Sequence, residues 1–414
     1  MSPDRRPTET GFLHSIASSG QFTRLATYLG SNEPLAVRQK AANILAQSAE
    51  SIREGETAEL TAQLYTAAIT EADDSVRATI VETLIYLDER AVDTVVTRIE
   101  SPDAPTPATP PPLVYGEWLE SDHVELRLVG IAGLGHVGSD RIVPKLAAAC
   151  ADHDPRVQVR ALTECGRLGD PRCVDAAIRC LDSDAVEVRT AAATCLIRIG
   201  TDDALAAVMP LAKTAEPQVQ HAILDEIGTV GSLRVFGLLL WALTTDVPEL
   251  QERAVRSIVD LLVNAPADDS HTVRMTVGTH LQQYSSHDIV PKLRPVVTAD
   301  SRQRRRNGIW LLGELIDPAE HTDSLTALIE AIGDDDTKTA NIAVSQLVSY
   351  DEPVIIDRLE AVIKTADFDS PALQRADHIR DQITHKTATD HLEETVEYTR
   401  VSDPADYTRK HAER

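Results

Sequence analysis

At 414 residues the chain has room for two or three globular domains, or for one continuous unit if it is built from repeats. An excess of 65 acidic over 40 basic residues sets the net charge at −25 and argues against generic capture of nucleic acid by a basic field. The longest apolar run, Val235 to Leu243, falls far below the roughly 18 residues of a membrane helix; no stretch reads as a signal peptide; and five cysteines, an odd number, suit reduced thiols in a cytoplasm.

Residues 1–11 are polar and expected to be disordered. Phe12, Leu13 and Ile16, then Leu25, Tyr28 and Leu29, predict a capping helix pair. Val37-Arg38 begins the first apolar stripe and Val76-Arg77 the second; their 39-residue separation implies a lengthened turn near Ser51–Thr57. From Arg77 to Arg127 the step grows to 50, leaving an insertion at 101–119. Its first part, Ser101–Pro112, holds six prolines and predicts an extended polyproline arm. Tyr115 and Trp118 follow; they are candidates to dock a partner or fold over a groove, unless they rejoin the core.

From Glu125 to Gly231 one pattern returns four times: a Leu-Arg, Val-Gln, Val-Arg or Val-Gln anchor at 127, 158, 189 and 220, then a closing glycine at 138, 169, 200 and 231. Each step is 31 residues, a period that signals stacked helical units. In Asp154–Val174, Asp154 is placed to cap a helix that starts at Pro155, Val157, Ala161 and Cys165 form its apolar stripe, and Gly166 and Gly169 are expected to end it. Asp170-Pro171 then starts a second helix with Val174, Ala177, Ile178 and Leu181. Two such short helices cannot bury their apolar faces alone, so neighbouring hairpins must supply the core.

Beyond Gly231, Gln251 keeps the step, whereas Arg274 follows after only 23 residues, predicting an abbreviated repeat without its first helix. Arg305 restores the 31-residue step, a looser unit surrounds Ala340, and Val354–Lys364 with Pro371–Ile383 make a final pair. Residues 385–414 read as a flexible tail with one helical segment at Asp390–Tyr398.

The turn acid, Val-Arg pair, alanine-rich helix and Gly-x-x-Gly close resemble the HEAT repeat family, and in particular its short subtype named after phycobilin lyases, from Ser121 to Gly231 and more loosely from Pro34 to Asp369. The resemblance implies an all-α, right-handed α-solenoid of about ten helical hairpins spanning 12–384. The acidity, the low aromatic content of 4% and the use of only eight lysines resemble a halophilic archaeal cytosolic protein, in whose molar salt net charge says little about partners.

The anchor arginines Arg38, Arg77, Arg127, Arg189, Arg274 and Arg305 follow turn acids such as Asp74, Asp122, Asp184, Asp269 and Asp300, which predicts a ladder of Arg–Asp contacts between turns. The Gly-x-x-Gly tetrads recur at helix ends and read as caps rather than nucleic-acid clamps. Related deoxyhypusine hydroxylases hold two irons with His-Glu dipeptides; this chain has 13 histidines and no such pair, and Ala222 follows His221. All five cysteines fall between 150 and 195 without a Cys-x-x-Cys and read as buried small residues, Cys165 and Cys195 on second helices. The run Arg302-Gln303-Arg304-Arg305-Arg306 stands on the first turn of a helix, where cations oppose the dipole. Its use is either to meet an acidic surface, a phosphate or nucleic acid, with Lys292 and Arg294 nearby, or to pair with local acids.

No nucleophile–base set, phosphate loop or metal spacing stands out, so the reading is a cytoplasmic, non-enzymatic adaptor that needs no cofactor and binds one or more proteins on the concave face of its second helices. The resemblance implies roles in haloarchaeal taxis signalling or beside SMC-like chromosome proteins. The alternatives are nucleic-acid association through Arg302–Arg306 and a lyase-like enzyme or chromophore chaperone.

Overall fold

A computed structural model describes residues 9–55, 58–101, 110–284, 286–318, 320–350, 355–360 and 371–389, and every regular element among them is a helix. The chain divides into two compact units, Met1–Ala204 and Leu205–Arg414.

In the first unit, the first helices of successive hairpins, Leu35–Gln47, Asp74–Leu87, Val124–Val137, Pro155–Leu168 and Val186–Ile199, pack each on the next. The second helices Ala58–Thr70, Ala91–Ile99, Val143–Ala149 and Val174–Cys180 accompany them. Glu9–Ser18, Phe22–Ala26 and the 3₁₀ turn Thr27–Leu29 cover the outer face of the first hairpin, so residues 9–11, expected to be disordered, are helical. Part of the lengthened turn near Ser51–Thr57 is likewise a short helix, Ala49–Arg53, anchored by buried Ile52.

Local chemistry explains the repeating hairpin. In Pro155–Leu168, Asp154 accepts a hydrogen bond from the Arg156 amide at 2.8 Å and Pro155 occupies the first helical position, where no N–H is needed. Val157, Ala161 and Cys165 are fully buried on one stripe. The closing glycines Gly138, Gly169, Gly200 and Gly231 take φ of 64°, 65°, 68° and 63°, the left-handed conformation that stops a helix without steric cost. Gly166, expected to share in ending its helix, lies inside it instead: a Cβ there would stand 3.0 Å from Cys195 Cα, so its bareness serves helix packing. Around Gly169 no atom lies within 4 Å of where a Cβ would be. Gly169→Ala is therefore expected to cost about 1–2 kcal/mol through backbone conformation alone, and Gly169→Asn less, measurable as shifted denaturation midpoints.

The insertion is the main departure from expectation. Residues 102–109 lie outside those described, but Pro111 and Pro112 open a helix, Pro111–Leu119, rather than extending a polyproline arm. This helix lies against Val124–Val137 where Gly130 and Gly133 remove side chains; a Cβ on Gly130 would come within 2.8 Å of the Leu119 nitrogen and Tyr115 oxygen.

The second unit contains Pro217–Glu226, Phe236–Leu243, Pro248–Asn264, Ser270–Leu281, Ser286–Val297, Arg302–Leu315, Thr322–Glu330, Thr337–Tyr350, a helix at 355–360 and Pro371–Thr389. The 23-residue step is not a missing first helix: Pro248–Asn264 and Ser270–Leu281 both carry anchors and follow one another with only residues 265–269 between, so the helix absent there is a second one. Residues 385–389, expected in the tail, continue Pro371–Thr389; the expected segment 390–398 lies outside the described residues. All five cysteines are buried, but Cys165 and Cys195 stand on first helices rather than second ones.

Candidate interaction surface

The anchor arginines share a two-sided geometry. Arg127 Nη1 donates to the carbonyls of Ser121 and Asp122 at 3.0 and 3.2 Å, while Nε and Nη2 grip both oxygens of Asp152 at 2.8 and 2.9 Å. Arg305 repeats this with the carbonyls of Ala299 and Asp300, both at 3.0 Å, and the carboxylate of Asp334 at 2.9 and 3.0 Å. Arg38 meets Glu33 O and both oxygens of Glu71, and Arg189 meets the carbonyls of Ser183 and Asp184. Asp122 and Asp300 thus lend their arginines a main-chain oxygen rather than the expected carboxylate, which comes from the following turn. The planar fork leaves one edge for a carboxylate once the other has clipped its own turn. Where the anchor is glutamine only the carbonyl contact survives, from Gln158 to Asp152 O and from Gln251 to Thr245 O. Arg77 pairs with Asp74 within its own turn, Arg274 meets Asn307 Oδ1 at 3.0 Å, and Asp269 stands at the N-cap of Ser270–Leu281.

Tyr115 and Trp118 are core residues, not a docking pair. Tyr115 is wholly buried with its ring over Gly133 and its hydroxyl 3.3 Å from Glu100 Oε1. Trp118 is 7% exposed, edge-on to Tyr115, with the Arg77 guanidinium 5.0 Å from its ring centroid.

The basic run is equally engaged. Arg304 forks onto Asp260 at 2.6 and 2.8 Å, Arg305 onto Asp334, and Arg306 onto Asp336 with both contacts at 2.7 Å; Arg302 is exposed. These pairs offset the unfavourable placement of cations at a helix start, and they close three of the four guanidinium forks to an outside phosphate. Arg306 and the Thr339 amide and hydroxyl hold the Asp336 carboxyl below its usual range against the opposing effect of burial. Arg306→Ala is expected to destabilise the second unit by about 2 kcal/mol, because Asp336, only 9% exposed, loses its charged partner. Denaturation monitored at Trp310 reads this directly.

An open surface does exist on the first unit, along the second helix Ala58–Thr70. Glu59, Ala62, Gln63, Thr66, Ala67 and Thr70 line a groove of about 400 Å³ facing the turn Thr27–Gly30. A second hollow, about 350 Å³, adjoins it at Ala62 and reaches Tyr65, Asp88 and Arg98. Tyr65 donates its hydroxyl to Asp88 Oδ2 at 2.5 Å, and the Arg98 guanidinium lies over the tyrosine ring, 4.6 Å from its centroid. Burial, with help from Asp88, pushes the Tyr65 phenol up to about 12, and the Asp88 carboxyl is held below its usual range by that hydroxyl and the Arg90 amide. Sequence reading missed this surface. Its i, i+3, i+4, i+7 row of small and polar residues looks like any solvated helix face.

A model of HEAT repeats matches residues 114–196, 144–228 and 175–259. The chain is 25% identical over 391 residues to a HEAT repeat-containing taxis protein of Halobacterium salinarum, covering 94% of each. Among solved structures it is similar to an engineered protein (16% identity, 88% of this chain and 98% of that one, TM-score 0.46) and to the complex of CpcE and CpcF of phycocyanin lyase from Nostoc sp. PCC7120 (22%, 69% and 98%, 0.36). No helix among the described residues is long and apolar enough to cross a membrane. The 31-residue hairpins, their left-handed glycine caps and the matched span 114–259 make this chain an all-α protein of HEAT repeats.

Proposed function

We propose that this protein is a non-enzymatic adaptor that binds partner proteins on the face of its second helices, in the cytoplasmic taxis signalling of a halophilic archaeon. The observation that carries the reading is the correspondence with a taxis protein over 94% of both chains, which leaves neither with a large additional domain to supply a separate activity. A second support is the groove on Ala58–Thr70, whose small side chains let a partner's backbone approach closely. Repeats of this kind build extended surfaces by stacking rather than by a catalytic constellation. The nucleic-acid alternative loses ground because Arg304, Arg305 and Arg306 are spent on internal carboxylates.

The test is co-purification of the tagged chain from a halophilic host at native salt, with quantitative mass spectrometry. A defined, stoichiometric set that includes taxis proteins is the expected result. Recovery of the chain alone, or with nucleic acid, stoichiometric metal or a pigment, overturns it.

A further inference from the structure

In this molecule an arginine near a turn or helix junction is nearly always matched by a carboxylate. Arg38, Arg127, Arg304, Arg305 and Arg306 each grip both oxygens of one. Arg98 is different. It is half-buried on Ala91–Ile99, lines the hollow beside Ala58–Thr70, and among the described residues no carboxylate lies within ion-pair distance of it. The acids nearest to it in sequence are committed elsewhere. Asp88 accepts the Tyr65 hydroxyl and the Arg90 amide, Asp93 pairs with Arg160, and Glu100 faces His136 and the Tyr115 hydroxyl. Arg98 is also held in place: its guanidinium rests on the Tyr65 ring, and Tyr65 is in turn fixed by Asp88. A cation so positioned, with its hydrogen-bonding edge unmatched and a hollow of about 350 Å³ before it, is preorganised for an anionic group.

Resting on the adaptor reading above, we infer that this hollow receives an aspartate or glutamate side chain of the partner protein, paired with Arg98, while the partner's neighbouring small or apolar residues lie in the adjoining groove along Ala58–Thr70. A singly charged carboxylate suits the site better than a phosphate. Asp88 lines the same hollow and is ionised, so a second negative charge on the ligand meets repulsion that one charge balanced by Arg98 does not. The groove surface, with Ala26, Leu29, Ala62 and Ala67 beside Thr66 and Thr70, favours a peptide over a free ion.

The experiment uses the full chain and its co-purifying partner at native salt. A photo-crosslinking residue replaces Thr61, which lines the hollow, and the partner peptide it captures is mapped by mass spectrometry. In parallel, Arg98→Gln and Arg98→Glu are compared with wild type for partner retention and for melting temperature. The expected result is a captured peptide containing Asp or Glu, about tenfold weaker retention for Arg98→Gln, a larger loss for Arg98→Glu, and recovery when the mapped acid is changed to lysine. Melting should be unchanged, because Arg98 has no carboxylate partner within the described residues. Wild-type retention with no capture at Thr61, or with undiminished binding by both variants, overturns the inference and leaves the adaptor reading standing. Displacement of the partner by millimolar phosphate, but not by chloride of equal ionic strength, also overturns it by assigning the hollow to a free anion. A wild-type chain that retains no protein removes both.

Discussion

Replacing Tyr115 with alanine is expected to destabilise the first unit by about 3–5 kcal/mol, the range for emptying a large buried aromatic site. The side chain is fully buried, sits where Gly133 has no side chain, and packs edge-on against Trp118 at 6.4 Å. Collapse of the helix Pro111–Leu119 onto Val124–Val137 is limited, because Gly130 already brings the two backbones into contact. For a unit of this size the loss corresponds to a drop in melting temperature of roughly 6–20 °C, a large share of the stability of an ordinary domain. Tyr115→Phe keeps the packing and loses only the 3.3 Å contact to Glu100, so about 1 kcal/mol or less should suffice for it. A docking residue would behave in the opposite way, with unchanged melting and lost binding. The comparison of alanine and phenylalanine variants by thermal and chemical denaturation separates the two.

The second large effect is expected at Glu71. This carboxylate is almost fully removed from solvent, with a side chain only 1% exposed, yet it satisfies four donors: Arg38 Nε and Nη2 at 2.9 and 3.0 Å, and the amides of Ala72 and Asp73 at 2.8 and 2.9 Å. Glu71→Ala strands the Arg38 guanidinium, itself 13% exposed, and two turn amides, for an expected cost of about 3–5 kcal/mol. The pH dependence follows from the same contacts. Burial alone pushes the Glu71 carboxyl upward, but Arg38 and the two amides outweigh it and hold the group below its ordinary value. A carboxyl depressed in the folded state binds its proton more readily when unfolded, so its contribution is fully present above the unfolded value of about 4.3 and disappears as pH falls through the folded value. The stability gap between wild type and Glu71→Gln should therefore be constant from pH 7 to 5 and narrow below pH 4. Denaturant titrations at pH 7, 5, 4 and 3 provide the measurement, and a gap that widens toward pH 3 would contradict the assignment.

What the amino-acid sequence determined by itself is whatever depends on neighbours within one or two helical turns. The 31-residue spacing, the cap at Asp154-Pro155 and the glycines at 138, 169, 200 and 231 were legible because each satisfies a local backbone requirement: a free amide, a fixed φ, a left-handed turn. The first half of each arginine contact, to carbonyls five and six residues back, is equally local. Only the tertiary structure decided the rest. The carboxylates that complete Arg38, Arg127, Arg304 and Arg306 lie 33, 25, 44 and 30 residues away, among many acids of equal charge, and packing chooses among them. Tyr115 and Trp118 could face water or core with the same pattern; the missing side chains of Gly130 and Gly133, on another helix, settle it. The hollow before Arg98 has the same origin. It is defined by where Asp88, Asp93 and Glu100 find their partners, and chain order alone does not contain those distances.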